Sequence, residues 1–203
     1  MINAAVNQKF TNNAKELIDF SQNLIYENIP QAAIESTKRL LLDNVATILL
    51  GSRRSESKRL RTYLYSLSNT LLPTNKNCTV IGTDIRLSSD WAAFGNASFS
   101  QVFDFNDGYS ENGVYGGSIH PGRIIIPVCL SAAEKYGVTG KNLITGIIVG
   151  YETALRIRGI NPSPVSDVYG GAAGASKIML HSWDKMLHAL GIAASISPRN
   201  FPE

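Results

Sequence analysis

Two polar stretches hold the residue types that chemistry needs. The first runs Phe103-Asp104-Phe105-Asn106-Asp107-Gly108 and resumes at Ser118-Ile119-His120-Pro121-Gly122. Asp104 and Asp107 are three apart, so both can face one side of a helix's last turn. The macrodipole disfavours acids at that end, so placing two there needs a compensating reason. A raised carboxylate pKa, a nearby cation or a bound substrate would supply it. His120 stands at the mouth of the next helical pattern, where an imidazole can serve as acid, base or anion ligand. Plainer readings compete: Asp residues near turns often bond to local backbone, and a His before Pro can simply close a turn.

The second stretch is Gly159-Ile160-Asn161-Pro162, leading through Asp167 and Tyr169 to Gly170-Gly171. The glycine pair could form an anion-binding helix N-terminus. Close helix packing is the stronger reading of it. His181 precedes a cap and His188 lies on a helix flank, so both read as structural. Cys78 and Cys129 form no CxxC pair, and with three histidines they offer no zinc spacing. Spacing thus points to a polar pocket without naming a reaction.

The elements that must position these residues are mostly helical. Apolar residues recur at helical spacing in Leu17, Phe20, Leu24 and Ile25, behind a cap at Thr11 or Asn12. A second helix starts at Pro30 and runs to Leu50 with Leu41, Val45, Ile48 and Leu49 inward, and Gly51 reads as its left-handed cap. A third carries a basic run from Arg53 to Arg61 and ends near Leu67, before a loop over 68–77. Cys78–Ile81 and Asp84–Leu87 around Gly82-Thr83 predict one small β-hairpin, near 78–87. A fourth helix, capped by Ser88 or Ser89, carries Trp91, Phe94 and Val102 toward a core and ends near Phe103. Later helices are predicted at Ile124–Tyr136, from Thr139 to about Arg158, at Gly170–Leu180, and at Trp183–Ile196 behind Ser182. The reading is a single all-α domain over 1–203, with an irregular tail at 197–203.

Composition narrows the classes. In 203 residues, 44% are hydrophobic, enough for a core and too many for a disordered chain. Charged residues are 17% against a usual value of about 25%, which predicts surface hidden in an assembly or under a covering piece. A net charge of +3 is too small to argue for nucleic acid, and Glu56 interrupts the basic run, which reads as a solvated helix face. The apolar stretch Leu143–Leu155 contains Glu152 and falls short of the roughly 20 residues of a membrane span. Residues 1–10 lack an apolar signal core, so the expected location is cytoplasmic.

Taken in order, several short motifs resemble the MmgE/PrpD family over residues 10–196. They are Ile29-Pro30 before Arg39-Leu40-Leu41-Leu42-Asp43, Thr79-Val80-Ile81-Gly82, and Phe103-Asp104-Phe105-Asn106-Asp107. Then come His120-Pro121-Gly122, Gly150-Tyr151-Glu152 leading to Arg156-Ile157, Gly170–Lys177, and His188-Ala189-Leu190-Gly191-Ile192-Ala193. The resemblance covers the family's N-terminal helical domain and implies that domain's fold, with the family's α/β lid outside the match. It also implies a cofactor-independent lyase without a metal, acting on a small di- or tricarboxylate such as 2-methylcitrate or cis-aconitate.

Carried over by position, Asp104 and His120 match catalytic positions. Asn106 stands where an Asp is usual and Asp107 keeps the adjacent acid. Asn161 stands where many members have His, and Gly108 where many have a Thr that can bond substrate. Asn106, Asp107 and Asn161 are thereby substrate-binding candidates. The family's lysines and lid lie beyond the matched segment, so this chain by itself is expected to be weakly active or inactive. Its expected partners are a second copy or a lid-bearing homologue, with no nucleic acid and no membrane. The alternative is a non-catalytic helical scaffold or dimerisation subunit.

Overall fold

A computed structural model describes residues 4–70, 78–109, 120–160 and 166–196, with side chains described from residue 14. Among these residues the architecture is eight α-helices and one two-stranded hairpin. The elements run α1 (Ala4–Asn23), α2 (Gln31–Ser52), α3 (Lys58–Thr70), β1 (Cys78–Thr79), β2 (Arg86–Leu87) and α4 (Ser89–Ser100). They continue with α5 (Gly122–Tyr136), α6 (Gly140–Ile160), α7 (Ser166–Ile178) and α8 (Trp183–Ile196). The mostly helical reading holds, and so does the hairpin: β1 and β2 pair antiparallel with Cys78 opposite Leu87 and Thr79 opposite Arg86. Gly82 turns the hairpin at φ +81°, a left-handed conformation that favours glycine.

One apolar cluster sits under the hairpin, joining Ile48, Leu64, Val80, Leu87 and Phe99. The other lies among α5, α6 and α7 around Ile125, Ile126, Cys129, Ile147 and Ile178. Here small residues set the spacing. A Cβ on Gly170 would lie 2.6 Å from the Gly150 carbonyl oxygen, and one on Gly174 would lie 2.8 Å from that of Gly146. These two contacts make α6 and α7 antiparallel and bring their backbones together. The close-packing reading of Gly170-Gly171 is therefore the one observed. The pair sits inside α7, whose first turn is at Ser166, so it is no helix N-terminus.

Several boundaries differ from expectation. Thr11 and Asn12 lie inside α1, which begins at Ala4. Helix α2 runs through Gly51 to Ser52. Gly51 is there because any side chain would collide with the Phe99 carbonyl oxygen. The basic run straddles a turn: α3 starts at Lys58, and Arg61 Nη1 donates to the carbonyls of Ser52 and Arg54, closing the α2–α3 corner. Phe94 and Leu49 face outward, and Phe99 takes the core position on α4. Gly137, at φ +62°, ends α5 as predicted, and Thr139 Oγ1 accepts from Asn142 N at 3.3 Å to start α6. The 197–203 tail lies outside the described residues.

Large apolar side chains remain exposed, among them Leu42 at 72%, Phe105 at 72% and Ile192 at 64%. They give the low charge fraction a physical counterpart on the surface. No helix among the described residues is long and apolar enough to cross a membrane.

Candidate active site

The site forms where α4 hands over to α5, beneath α6. After Ser100 the chain turns through residues 101–103 and passes Asp104 in the left-handed region at φ +49°. Asp tolerates that conformation better than most residues. The turn sends Asp107 inward and leaves Asp104 exposed. The two acids therefore do not share one side of a helical turn, because α4 has ended before either is reached.

Asp107 docks on the N-terminus of α5. The Gly122 N–H donates to its carboxylate, at 3.1 Å to Oδ1 and 3.3 Å to Oδ2. This position suits an anion, since the first N–H groups of a helix are unpaired and carry the positive end of the dipole. Gly122 must lack a side chain: a Cβ would lie 2.6 Å from Tyr151 Oη and closer still to Asp107 Oδ1. From α6, Tyr151 Oη donates to Asp107 Oδ2 at 2.8 Å. Burial pushes the Asp107 pKa above the ordinary value, against the opposing pull of the Tyr151 and Gly122 bonds. Burial and the Asp107 charge push the Tyr151 hydroxyl up, keeping it a protonated donor.

His120 is oriented by the same residue. Its Nδ1 lies 2.8 Å from the Asp107 carbonyl oxygen. A carbonyl only accepts, so Nδ1 carries a proton, and in neutral imidazole Nε2 is left with the lone pair. Among the described residues nothing bonds to Nε2. The arrangement can thus take a proton at Nε2 and return it there. Gly108 faces this ring, with a built Cβ 3.8 Å from Nδ1, so the missing side chain leaves open space beside the imidazole.

The other predicted residues are placed less centrally. Asn106 is half-buried and donates from Nδ2 to Gln101 Oε1 at 3.3 Å, while its Oδ1 is buried without a partner among the described residues. The Asp104 N–H donates to the Gln101 carbonyl oxygen at 3.1 Å, and its carboxylate makes no hydrogen bond or ion pair among the described residues. Asn161 lies outside them. The structure therefore brings Asp107 and His120 together. It adds Tyr151 and Gly122, which the sequence reading did not select as site residues. A Tyr on the inner face of an apolar helix reads as core, and its place in Gly150-Tyr151-Glu152 was the available signal.

A buried ion pair braces the same end of the helix layer. Arg123 Nε donates to Asp167 Oδ2 at 3.2 Å, joining the first turns of α5 and α7. Asp167 is 1% exposed. Among the described residues no three His, Cys, Asp or Glu side chains converge as metal ligands.

The profile of the MmgE/PrpD N-terminal domain matches residues 15–199. The chain belongs to the MmgE/PrpD family. Within the family it is similar to the cis-aconitate decarboxylase of Aspergillus terreus, 30% identical over 196 residues that cover 89% of this chain and 38% of that protein. It is also similar to a cis-aconitate decarboxylase-like protein of Aspergillus oryzae, at 28% identity over 89% of this chain and 39% of the relative. The human cis-aconitate decarboxylase is 27% identical over 83% of this chain and 36% of its own length. The chain thus spans less than two-fifths of these relatives, and this MmgE/PrpD segment carries the Asp107–His120–Tyr151 group within it.

Proposed function

We propose that this MmgE/PrpD chain is the helical, base-bearing part of a cofactor-independent lyase for a small di- or tricarboxylate. Cis-aconitate is the first substrate to test, because the relatives cited above are named for it, and 2-methylcitrate is the second. The observation that carries the reading is the 2.8 Å contact between His120 Nδ1 and the Asp107 carbonyl oxygen, which leaves Nε2 without a partner among the described residues. In decarboxylation, the bond to the leaving carboxyl carbon breaks and its electron pair stays on the adjacent carbon. A proton delivered from Nε2 of the imidazolium then completes the product. In dehydration the same nitrogen, neutral, removes the proton next to a carboxyl group. Such proton transfers contribute about 10²–10⁴-fold.

Asp107 orients the imidazole from below. In this reading Asn106 and Asn161 contact the substrate, and Asp104, exposed at the rim, is the second acid–base group. The reading rests on cationic help from outside this segment for the charge that builds on the reacting acid. The test is titration of the full chain with cis-aconitate and 2-methylcitrate, following the His120 ring resonances and loss of the acid. Shifts at His120 Nε2 on adding the acid are expected, with turnover falling about 10²–10⁴-fold in His120→Gln. No shift and no turnover with any small polycarboxylate would overturn the assignment.

A second reading is favoured by the exposed Leu42, Phe105 and Ile192. Here the chain is a non-catalytic helical subunit that assembles with itself or with a lid-bearing homologue. It predicts dimers by sedimentation at micromolar concentration with the His120 resonances indifferent to the acids.

A further inference from the structure

The antiparallel α6–α7 pair has a second end. Tyr151 and Asp167 lie at the active-site end, and Lys141 and Lys177 lie about ten residues, roughly 15 Å of helix, further along. There a cavity of about 240 Å³ opens between the end of α1, the start of α6 and the end of α7. Its lining includes Lys177, Lys141, Glu27, Leu24, Ile25 and Leu180.

The two lysines are in different electrostatic states. Lys141 Nζ lies 3.0 Å from Glu27 Oε1 and 4.9 Å from the Tyr26 ring centroid, so its charge is already answered. Lys177 is half-buried and donates to the Gln22 carbonyl oxygen at 2.9 Å. That bond uses one of the ammonium's three donors. Among the described residues no carboxylate comes within ion-pair distance of Lys177. Burial pulls its pKa below the ordinary lysine value, with no neighbouring charge to offset it. A part-desolvated cation without a counter-charge is costly, and an incoming anion relieves that cost.

The rest of the lining selects among anions. With Lys141 and Glu27 cancelling, the cavity carries one net positive charge, which fits a monoanion. A multiply charged oxyanion would meet the Glu27 carboxylate. Leu24 and Ile25 line an apolar side, and Leu180, 80% exposed at φ +54°, stands at the rim. The volume is below the about 300–1,000 Å³ of pockets for drug-sized ligands, so the occupant is small.

We propose that this cavity, between α1, α6 and α7, is a second ligand site that binds a short-chain aliphatic monocarboxylate, its carboxylate on Lys177 and its alkyl chain against Leu24, Ile25 and Leu180.

Calorimetric titration of the full chain with sodium hexanoate tests it, with inorganic phosphate as the second probe. Hexanoate is expected to bind, and Lys177→Met to weaken it at least tenfold. Glu27→Gln, which removes the rim's negative charge, is expected to tighten binding severalfold. That gain cannot come from misfolding, so the idea stays decidable should Lys177→Met fail to fold. His120→Gln is expected to leave hexanoate affinity unchanged, separating this site from the active site. Absence of hexanoate binding, equal binding of phosphate, an indifferent Glu27→Gln or loss of binding in His120→Gln would each overturn the proposal.

Discussion

The Tyr151 hydroxyl donates to Asp107 Oδ2 at 2.8 Å, tying the middle of α6 to the residue whose carbonyl oxygen holds the candidate base His120. Together with the Gly122 N–H it gives a half-buried carboxylate two donors. Removing the hydroxyl by Tyr151→Phe leaves that oxygen without one of them. A lost bond to a charged group costs about 1.5–3 kcal/mol. Urea unfolding at neutral pH is expected to show a loss in this range, with the slope of the transition unchanged.

The pH dependence follows from the direction of the Asp107 shift. Its pKa is raised in the folded protein, chiefly by burial. The folded state therefore binds the proton more tightly than the unfolded chain does. Stability from this group is greatest below the unfolded value of about 3.9 and is lost as pH rises from there through the raised folded value. Tyr151→Phe removes a bond that favours the charged form, so the loss should extend to higher pH. Unfolding free energy measured across the acid range checks this, and a flatter profile in the variant would contradict it.

The His120 tautomer is open to direct observation. Its Nδ1 sits 2.8 Å from the Asp107 carbonyl oxygen, which requires the proton on Nδ1. In the neutral ring, nitrogen NMR is expected to show Nδ1 protonated and Nε2 bare, the rarer form for histidine in water. An Nε2–H tautomer would mean that the ring is turned.

The Arg123–Asp167 pair predicts an asymmetry. Asp167 is 1% exposed, whereas the Arg123 side chain is 31% exposed. Arg123→Met strands a buried carboxylate and is expected to cost about 3–5 kcal/mol, as broken buried pairs do. Asp167→Asn leaves a guanidinium that still reaches water, so its cost should be clearly smaller. Thermal or urea unfolding of the two variants decides the order.

Gly170→Ala tests the helix layer. A Cβ there falls 2.6 Å from the Gly150 carbonyl oxygen, which is backbone and cannot rotate away. Forcing α6 and α7 apart should cost about 1–3 kcal/mol, the range for overpacked cores. Because Tyr151 rides on α6, the variant should also shift the His120 resonances.

Local rules reach far into this chain. Periodicity located the helices, although α1 starts at Ala4, well ahead of the expected cap; the Gly82-Thr83 turn predicted the hairpin, and Gly137 marked the end of α5, because caps and turns are decided by neighbours along the chain. Residue order also carried the family membership. Glycines were ambiguous where their role is a long-range contact. Gly51 looks like a helix stop and is a packing gap for Phe99, a partner 48 positions away, so no local pattern separates the two.

The candidate site divides the same way. Asp107 and His120 are visible as residue types beside predicted helix ends. Their roles depend on which atoms meet, and those atoms belong to α4's exit, α5's first turn and the middle of α6. Tyr151 lies 44 residues from Asp107, on a face that hydrophobic spacing assigns to the core. The sequence by itself determined the mostly helical class, the hairpin and the family, since these follow from short-range sterics and motif order. Tertiary structure decided that Asp107 is half-buried while Asp104 is exposed, and which nitrogen of His120 the Asp107 carbonyl holds. Burial and hydrogen-bond direction are properties of packed neighbours, and packing joins residues that chain order keeps apart.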